Sequence, residues 1–489
     1  MIPSRPRLRP SFTYIIALML SLVTFFSSLM SPARLAAATQ VLDEGIQYNQ
    51  LVKTLEGDRE ALVNYLLVDP SKPKVELKPV LAGNALGNLD TLSNLVKEYG
   101  AVAGVNGTFY SMSGNYTPID TTIIDHQLLV KSQREATSLV CFDDRRIMFE
   151  PVNLQVDLVL PDKKLVFNVN TFNQNCQQGI ALFTPQFGKS TKTGPDTWEL
   201  VAEPDRQGRL SVTQVVYGNA FIPEDGFVIS MQGEEKPYRQ YFALGDRVYW
   251  SLDLQGYQGV KHLLANGPLL VKNGCRTVPI QLEQLDSSLG YRHPRTALGL
   301  TKSGKVLLVT VDGRSEESIG MTFNELADLL IELGADQAMA LDGGGSTEMV
   351  VEGKIINKPS DGRERRINTA ILIISQIPVY LNGQRVYFEV APINQNGRVL
   401  VPVRKLFEAL GAEVEWNGET RTVSAVQGQT RVDLPIGKKT ARINGKSVQI
   451  DAAAIIVENR TMVPVRFISQ ALGAKVWWDA ATQSVHIKT

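Results

Sequence analysis

Cysteine and histidine are scarce in this 489-residue chain, which holds only Cys141, Cys176 and Cys275 of the first and His126, His262, His293 and His486 of the second. Three thiols allow at most one disulfide with one left over, so a disulfide scaffold is excluded and stability must come from hydrophobic cores. The histidines fall in no pair at metal-ligand spacing, so no zinc-type cluster is expected. Net charge is missing too. Fifty Lys and Arg offset fifty Asp and Glu, which excludes the basic signature of a nucleic-acid binder and makes any anion site a local one. After residue 30 no apolar run is long enough to span a bilayer. Before it, Arg5, Arg7 and Arg9 precede an apolar stretch from Tyr14 to Met30, and Ala36-Ala37-Ala38 supplies the small residues of a cleavage site. That pattern predicts a leader over 1–38, cleaved near Ala38, and an exported protein; kept uncleaved, the same stretch would be an anchor.

What is present is ordinary for folded protein, at 44% apolar and 20% charged residues, with length for two or three domains. Residues 377–489 repeat internally: Val401-Pro402-Val403-Arg404 returns as Val463-Pro464-Val465-Arg466, Leu410-Gly411-Ala412 as Leu472-Gly473-Ala474 and Trp416 as Trp478, each 62 residues on. Each copy reads as strand, helix, strand. Upstream, Pro378 follows the apolar run Ala370 to Ile374 and marks a linker. Strand-like patterns occur at Lys305–Val311, Phe227–Met231 and Arg247–Leu254. Helical periodicity is clear at Thr322–Leu333, where Phe323, Leu326, Leu329, Leu330 and Leu333 share a face and Thr322 with Glu325 has capping-box spacing. The expected class is α+β: a mixed-sheet catalytic domain with few helices at 95–376, a lead-in at 39–94 packed on it, and a smaller α+β domain of two repeats at 377–489.

The most informative segment is Ala340-Leu341-Asp342-Gly343-Gly344-Gly345-Ser346-Thr347-Glu348-Met349-Val350, an apolar run broken by an acid, three glycines and two hydroxyls. Glycines let the backbone take positive φ and let a ligand approach its N–H groups. With Asp342 before the glycines and Glu348 after them, the loop suits a sugar hydroxyl, a cation or an anomeric centre. It is no phosphate P-loop, because no Gly-Lys-Ser/Thr follows, and a serine nucleophile at Ser346 lacks the Gly-x-Ser-x-Gly frame. Similar punctuation appears at Asn106-Gly107-Thr108-Phe109-Tyr110, Asn266-Gly267-Pro268, Arg292-His293-Pro294-Arg295-Thr296-Ala297, Asp312-Gly313-Arg314 and Arg366-Ile367-Asn368-Thr369. Singly, each is an ordinary turn.

Together, in this order, they resemble the phosphodiester glycosidase family over roughly residues 95–376, and Asn170–Thr193 looks like the insert of its bacterial members. The repeats resemble the stalk domain named after the N-terminal domain of copper amine oxidases, with no copper implied. The resemblance implies cleavage of a sugar C1–O bond whose leaving group is a phosphate ester, of the N-acetylglucosamine-1-phosphodiester type, in envelope or extracellular glycans. Because a phosphate ester leaves as an anion, arginine forks are the natural partners, and Arg295, Arg314 and Arg366 are the candidates, with Arg292 and Arg365 in reserve and His293 as a helper. Asp342 and Asp312 are expected as the carboxylates at the anomeric carbon, with Glu348 behind them. Asn106, Asn266 and Asn368 would bond sugar hydroxyls or an N-acetyl group, and Gly107, Thr296, Gly343, Gly344, Gly345 and Ser346 complete the expected substrate site. No cofactor is required. Calcium among Asp312, Asp342 and asparagine oxygens stays open. The expected partner is a phosphodiester-linked sugar or envelope glycan, with the stalk domain associating with the cell wall. The competing expectation is a non-catalytic carbohydrate-binding envelope protein anchored by that domain.

Overall fold

A computed structural model of the chain describes residues 39–112, 114–233 and 236–489. The expected leader lies outside the described residues. The protein is mostly β-strand with few helices, which is the coarse form of the α+β expectation.

Two antiparallel sheets lie at its centre. The first runs, strand by strand, through Gln40–Asp43, Ile46–Leu55, Arg59–Val68, Val306–Val311, Arg295–Thr301, Ala335–Ala340, Leu269–Lys272 and Cys275–Arg276. The second runs through Lys354–Ile355, Met349–Val351, Ala103–Asn106, Thr369–Ser375 and Val75–Leu81. Val306–Val311 in the first and Thr369–Ser375 in the second read as near-continuous apolar runs because both faces are buried. In Val306–Val311, Val306 and Leu308 enter one core while Leu307, Val309 and Val311 enter another. In Thr369–Ser375, Ile371 and Ile373 share the first of these cores, while Ala370, Leu372 and Ile374 enter a third. The sheets therefore stack face to face through the shared core. Helix α1 (Leu92–Tyr99) covers the outer face of the second sheet with Leu92, Leu95 and Val96, and helix α2 (Phe323–Glu332) covers that of the first with Phe323, Leu326 and Leu330. Each such side chain, fully buried, contributes about 1.5–3 kcal/mol.

Local sequence accounts for the helix ends. Thr322 Oγ1 accepts from Glu325 N at 3.2 Å and Glu325 Oε2 accepts from Thr322 N at 2.9 Å, the expected capping box. Thr91 caps α1, and Gly100, in the left-handed region at φ 56°, ends it. Residues 39–94 do more than pack on the central domain, since they supply strands to both sheets: Arg59–Val68 pairs with Val306–Val311 and Val75–Leu81 with Thr369–Ser375.

Three smaller sheets, built largely from residues 122–265, enclose a core around Leu158, Leu182, Leu200 and Ile229. Residues 379–487 form a further core, with strand Arg398–Pro402 leading into helix α3 (Val403–Ala409), and strand Arg460–Pro464 into helix α4 (Val465–Leu472). Among the described residues, no helix is long and apolar enough to cross a membrane.

The crossing between the central sheets positions the site. Ala335–Ala340 belongs to the first and Met349–Val351 to the second, so the glycine-rich loop between them carries the chain across the open end of the sandwich. Leu341 N donates to Thr296 O at 2.9 Å on the first sheet, and Asp342 N to Gly107 O at 3.1 Å on the second.

Candidate active site

The loop needs its glycines because other groups occupy the space of their side chains. A Cβ on Gly343 would lie 2.8 Å from Pro294 O, and one on Gly344, where φ is 59°, would lie 3.0 Å from Arg314 Nη2. At Gly345 it would overlap the Arg365 guanidinium. Two arginine side chains thus lie directly over a bare backbone.

Arg365 is aimed by Asp361, whose Oδ2 accepts from Nε at 2.8 Å and Nη2 at 2.6 Å, leaving Nη1 to donate to Ser346 Oγ at 3.2 Å. Arg314 is exposed and held loosely, with Nη1 3.5 Å from Ser360 Oγ and Nη2 3.4 Å from His293 Nδ1. Ser346 also hydrogen-bonds the Asp342 carboxyl and the Tyr110 hydroxyl, and the Tyr110 hydroxyl donates to Arg366 O at 2.9 Å. Burial among these groups pushes the Asp342 carboxyl up to about 6, although Ser346, the Arg365 charge and the Gly343 N–H all favour its anion. A carboxylate balanced near neutrality, beside a hydroxyl and the Arg365 charge, is suited to take a proton or attack a carbon while an anion departs.

A second carboxyl pair lies nearby in sequence. Buried Glu348 lies beside Glu364, and burial, with that second carboxylate next to it, pushes Glu348 up to about 9. Glu364 accepts from Ser93 N at 2.6 Å in the first turn of α1.

Residues 200–374 match the family described as phosphodiester glycosidase, and residues 380–487 match the copper amine oxidase N-terminal domain. The chain carries a phosphodiester glycosidase-like domain. Among curated relatives, it is 35% identical over 161 residues to a prophage-derived uncharacterized protein of Bacillus subtilis, covering 33% of this chain and 24% of that one. It is 28% identical over 130 residues to the bovine N-acetylglucosamine-1-phosphodiester alpha-N-acetylglucosaminidase, covering 24% of each. The matches thus span about a quarter of the length of these two relatives. A hypothetical protein from Synechocystis shares the fold, with a TM-score of 0.63 at 21% identity over 70% of this chain and 64% of that one.

Within this glycosidase-like domain, the structure brings together Asp342, Gly343, Gly344, Gly345, Ser346, Arg314 and His293 from the expected set. Arg365, expected only in reserve, takes a central place. Several expectations are corrected. Asn106 is buried and binds protein instead of ligand: Nδ2 donates to Asp342 O at 2.7 Å, and Oδ1 accepts from Thr296 Oγ1 at 2.7 Å and Glu348 N at 3.1 Å. Thr296 is committed to that contact, and Gly107 packs against Thr369 where no side chain would fit. Asn266 is likewise buried, accepting from Phe109 N at 2.7 Å and donating to Gly267 O and Ala340 O. Asn368 is buried, with Nδ2 donating to Asn88 O at 3.2 Å while its Oδ1 has no hydrogen-bond partner among the described residues, so its expected ligand role is left standing. Asn106 and Asn266 hold the loop ends in place. Both Asp312 oxygens accept from Lys358 N, at 3.2 and 3.1 Å, so the protein itself engages the Asp312 carboxylate. Among the described residues, no three His, Cys, Asp or Glu side chains group as metal ligands. Arg366 donates to Leu89 O, Arg292 pairs with Glu325, and neither approaches the glycines in the way Arg314 and Arg365 do.

Arg295 is the largest departure. It is 3% exposed, stacks 3.9 Å from the Phe323 ring centre, and donates to Met321 O at 2.8 Å, Leu289 O at 2.6 Å and Tyr291 O. Burial pulls it down to about 9. Its fork is a structural clamp rather than a phosphate receptor. Arg295→Met keeps the packing on Phe323 but strands three carbonyls, so it is expected to cost at least about 3 kcal/mol of stability in urea unfolding. An unchanged midpoint would show that the clamp is dispensable.

Sequence reasoning assigned no role to Tyr110, Ser360, Asp361 or Glu364. The one available signal was the charged run Asp361-Gly362-Arg363-Glu364-Arg365-Arg366, with acid and arginine four apart, set between apolar segments.

Proposed function

We propose that the chain is an exported glycosidase hydrolysing the bond between a sugar anomeric carbon and a phosphodiester, of the N-acetylglucosamine-1-phosphodiester type, in envelope or extracellular glycans. The observation that carries this reading is the Asp342 carboxyl, balanced near neutrality beside Ser346 and Arg365, in a glycine loop over which Arg314 also lies. Asp342 is the carboxylate that meets C1, either attacking it or taking the proton of the attacking water. The C1–O bond breaks, its electron pair leaves on the phosphate oxygen, and water supplies the new C1 hydroxyl. The leaving oxygen needs little protonation, since a phosphate monoester has a second pKa of about 6, and Arg314 and Arg365 hold its charge. Ser346, itself in contact with Tyr110, orients the Asp342 carboxyl. The leader over 1–38, cleaved near Ala38, and a duplicated stalk domain at 377–489 that associates with the cell wall belong to the same proposal.

The second reading is a carbohydrate-binding envelope protein without turnover. A raised carboxyl pKa favours the enzyme, because binding alone gains nothing from a carboxylate poised to exchange a proton. The full chain is expected to release N-acetylglucosamine from a synthetic N-acetylglucosamine-1-phosphodiester with multiple turnovers. Binding of that compound without release would favour the second reading.

A further inference from the structure

Strands Arg398–Pro402 and Arg460–Pro464 pair antiparallel with Val401 opposite Val463, flanked by Leu400 opposite Pro464 and Pro402 opposite Met462. Leu400 and Met462 are 62 residues apart, as are Pro402 and Pro464, so the register maps onto itself under a two-fold rotation. Two pockets follow the same relation. One, of about 700 Å³, is walled by Val403, Arg404 and Trp416 and closed by Arg460; the other, of about 250 Å³, is walled by Val465, Arg466 and Trp478 and closed by Arg398. Each wall residue has its counterpart 62 positions away, and the closing arginines are exchanged between copies. The acids follow as well. Arg460 pairs with Glu389, Arg398 pairs with Asp451 at 3.0 Å, and Glu389 and Asp451 are again 62 apart. The second pocket is narrower, with Trp477 at the position that Glu415 takes in the first.

We propose that these pockets are two related binding sites for a neutral polysaccharide, each taking one segment of the glycan. Trp416 and Trp478 are both 44% exposed, open aromatic faces on which the C–H face of a pyranose can stack. Beside each, an arginine–carboxylate pair presents donors and acceptors in fixed directions to ring hydroxyls. In the larger pocket, Arg404, Lys405 and Arg460 balance Glu389, Glu408 and Glu415, which leaves no net field to attract a polyanion. A ligand that repeats along its length can fill two sites related by rotation, whereas one protein surface presents each feature once. The inference concerns residues 379–487 alone and does not rest on the glycosidase reading.

The test uses the full chain on insoluble chitin, cellulose and starch, with an anionic polysaccharide in parallel. Retention is expected on at least one of the three neutral glycans, insensitive to salt. Trp416→Ala or Trp478→Ala alone should weaken it at least about a hundredfold, because losing one site collapses the avidity of two. The double variant should not be retained. Trp416→Tyr and Trp478→Tyr, which keep an aromatic face, should restore part of the retention and thereby exclude a folding defect. No retention on any neutral glycan, retention indifferent to both tryptophans, or salt-sensitive retention on the anionic polymer alone would overturn the proposal. So would capture of a protein partner at the two tryptophans without glycan binding.

Discussion

Asp342→Asn is expected to leave a folded protein whose turnover of a sugar-1-phosphodiester is lower by at least about two orders of magnitude, the scale of losing proton-transfer help from a positioned side chain. The fold should survive because the substitution preserves size, and because Asp342 holds the loop through backbone groups: its N–H bonds Gly107 O, and its carbonyl accepts from Asn106. The amide can still meet Ser346 but can neither take a proton nor attack carbon. The pH profile gives the same role an independent sign. The working form is the anion, and the carboxyl sits up at about 6, so kcat/KM should rise with pH through that region. For stability the sign reverses. A carboxyl whose folded pKa lies above its unfolded value of 3.8 contributes stability that is full below that value and lost as pH rises through about 6, so Asp342→Asn should stabilise the protein at pH 8 relative to pH 4. Wild-type turnover in a folded Asp342→Asn protein would remove Asp342 from the chemistry.

The loop that carries Asp342 was legible in the sequence because its context is local: an apolar strand stops at an acid and three glycines, and the structure has the chain crossing there from one sheet to the other. Helix α2 was legible for the same reason, since face, cap and length lie within twelve residues. What escaped depends on groups far apart in the chain. Asn106 looked like a ligand donor, yet it ties together Thr296, Asp342 and Glu348, all at least 190 residues away, and nothing in its own neighbourhood announces that. Arg295 looked like a phosphate fork, and its carbonyl partners follow from how the turn before it packs against Met321. Residues 39–94 read as a lead-in because the strands they join, 306–311 and 369–375, are more than 200 residues downstream. Punctuation thus locates the loop, while long-range pairing decides which polar side chains at its rim face ligand and which face protein.

Arg365→Lys carries the second large effect. Lysine keeps the positive charge but cannot reproduce a fork that reaches Asp361 through two nitrogens and Ser346 through a third. If that fork holds the departing phosphate, kcat/KM for the phosphodiester should fall about a hundredfold, as for loss of a preorganised donor to developing charge. With an aryl glycoside of the same sugar, little phosphate-like charge develops and the loss should stay under about tenfold, because only interactions strengthened in the transition state accelerate the step. The charge is retained, so the rising limb of the pH profile should stay near 6. Arg365→Ala removes one of the groups that hold the Asp342 carboxyl down, and the limb should then move upward. Arg314→Lys should cost less than Arg365→Lys, since Arg314 is exposed and its two contacts are 3.4 and 3.5 Å long. Equal losses on both substrates for Arg365→Lys would mean that the arginine binds the sugar or supports the loop. If Arg314 behaved the same way, no cation would be left over the glycines to receive a phosphate, and the phosphodiester would give way to a plain glycoside as the substrate.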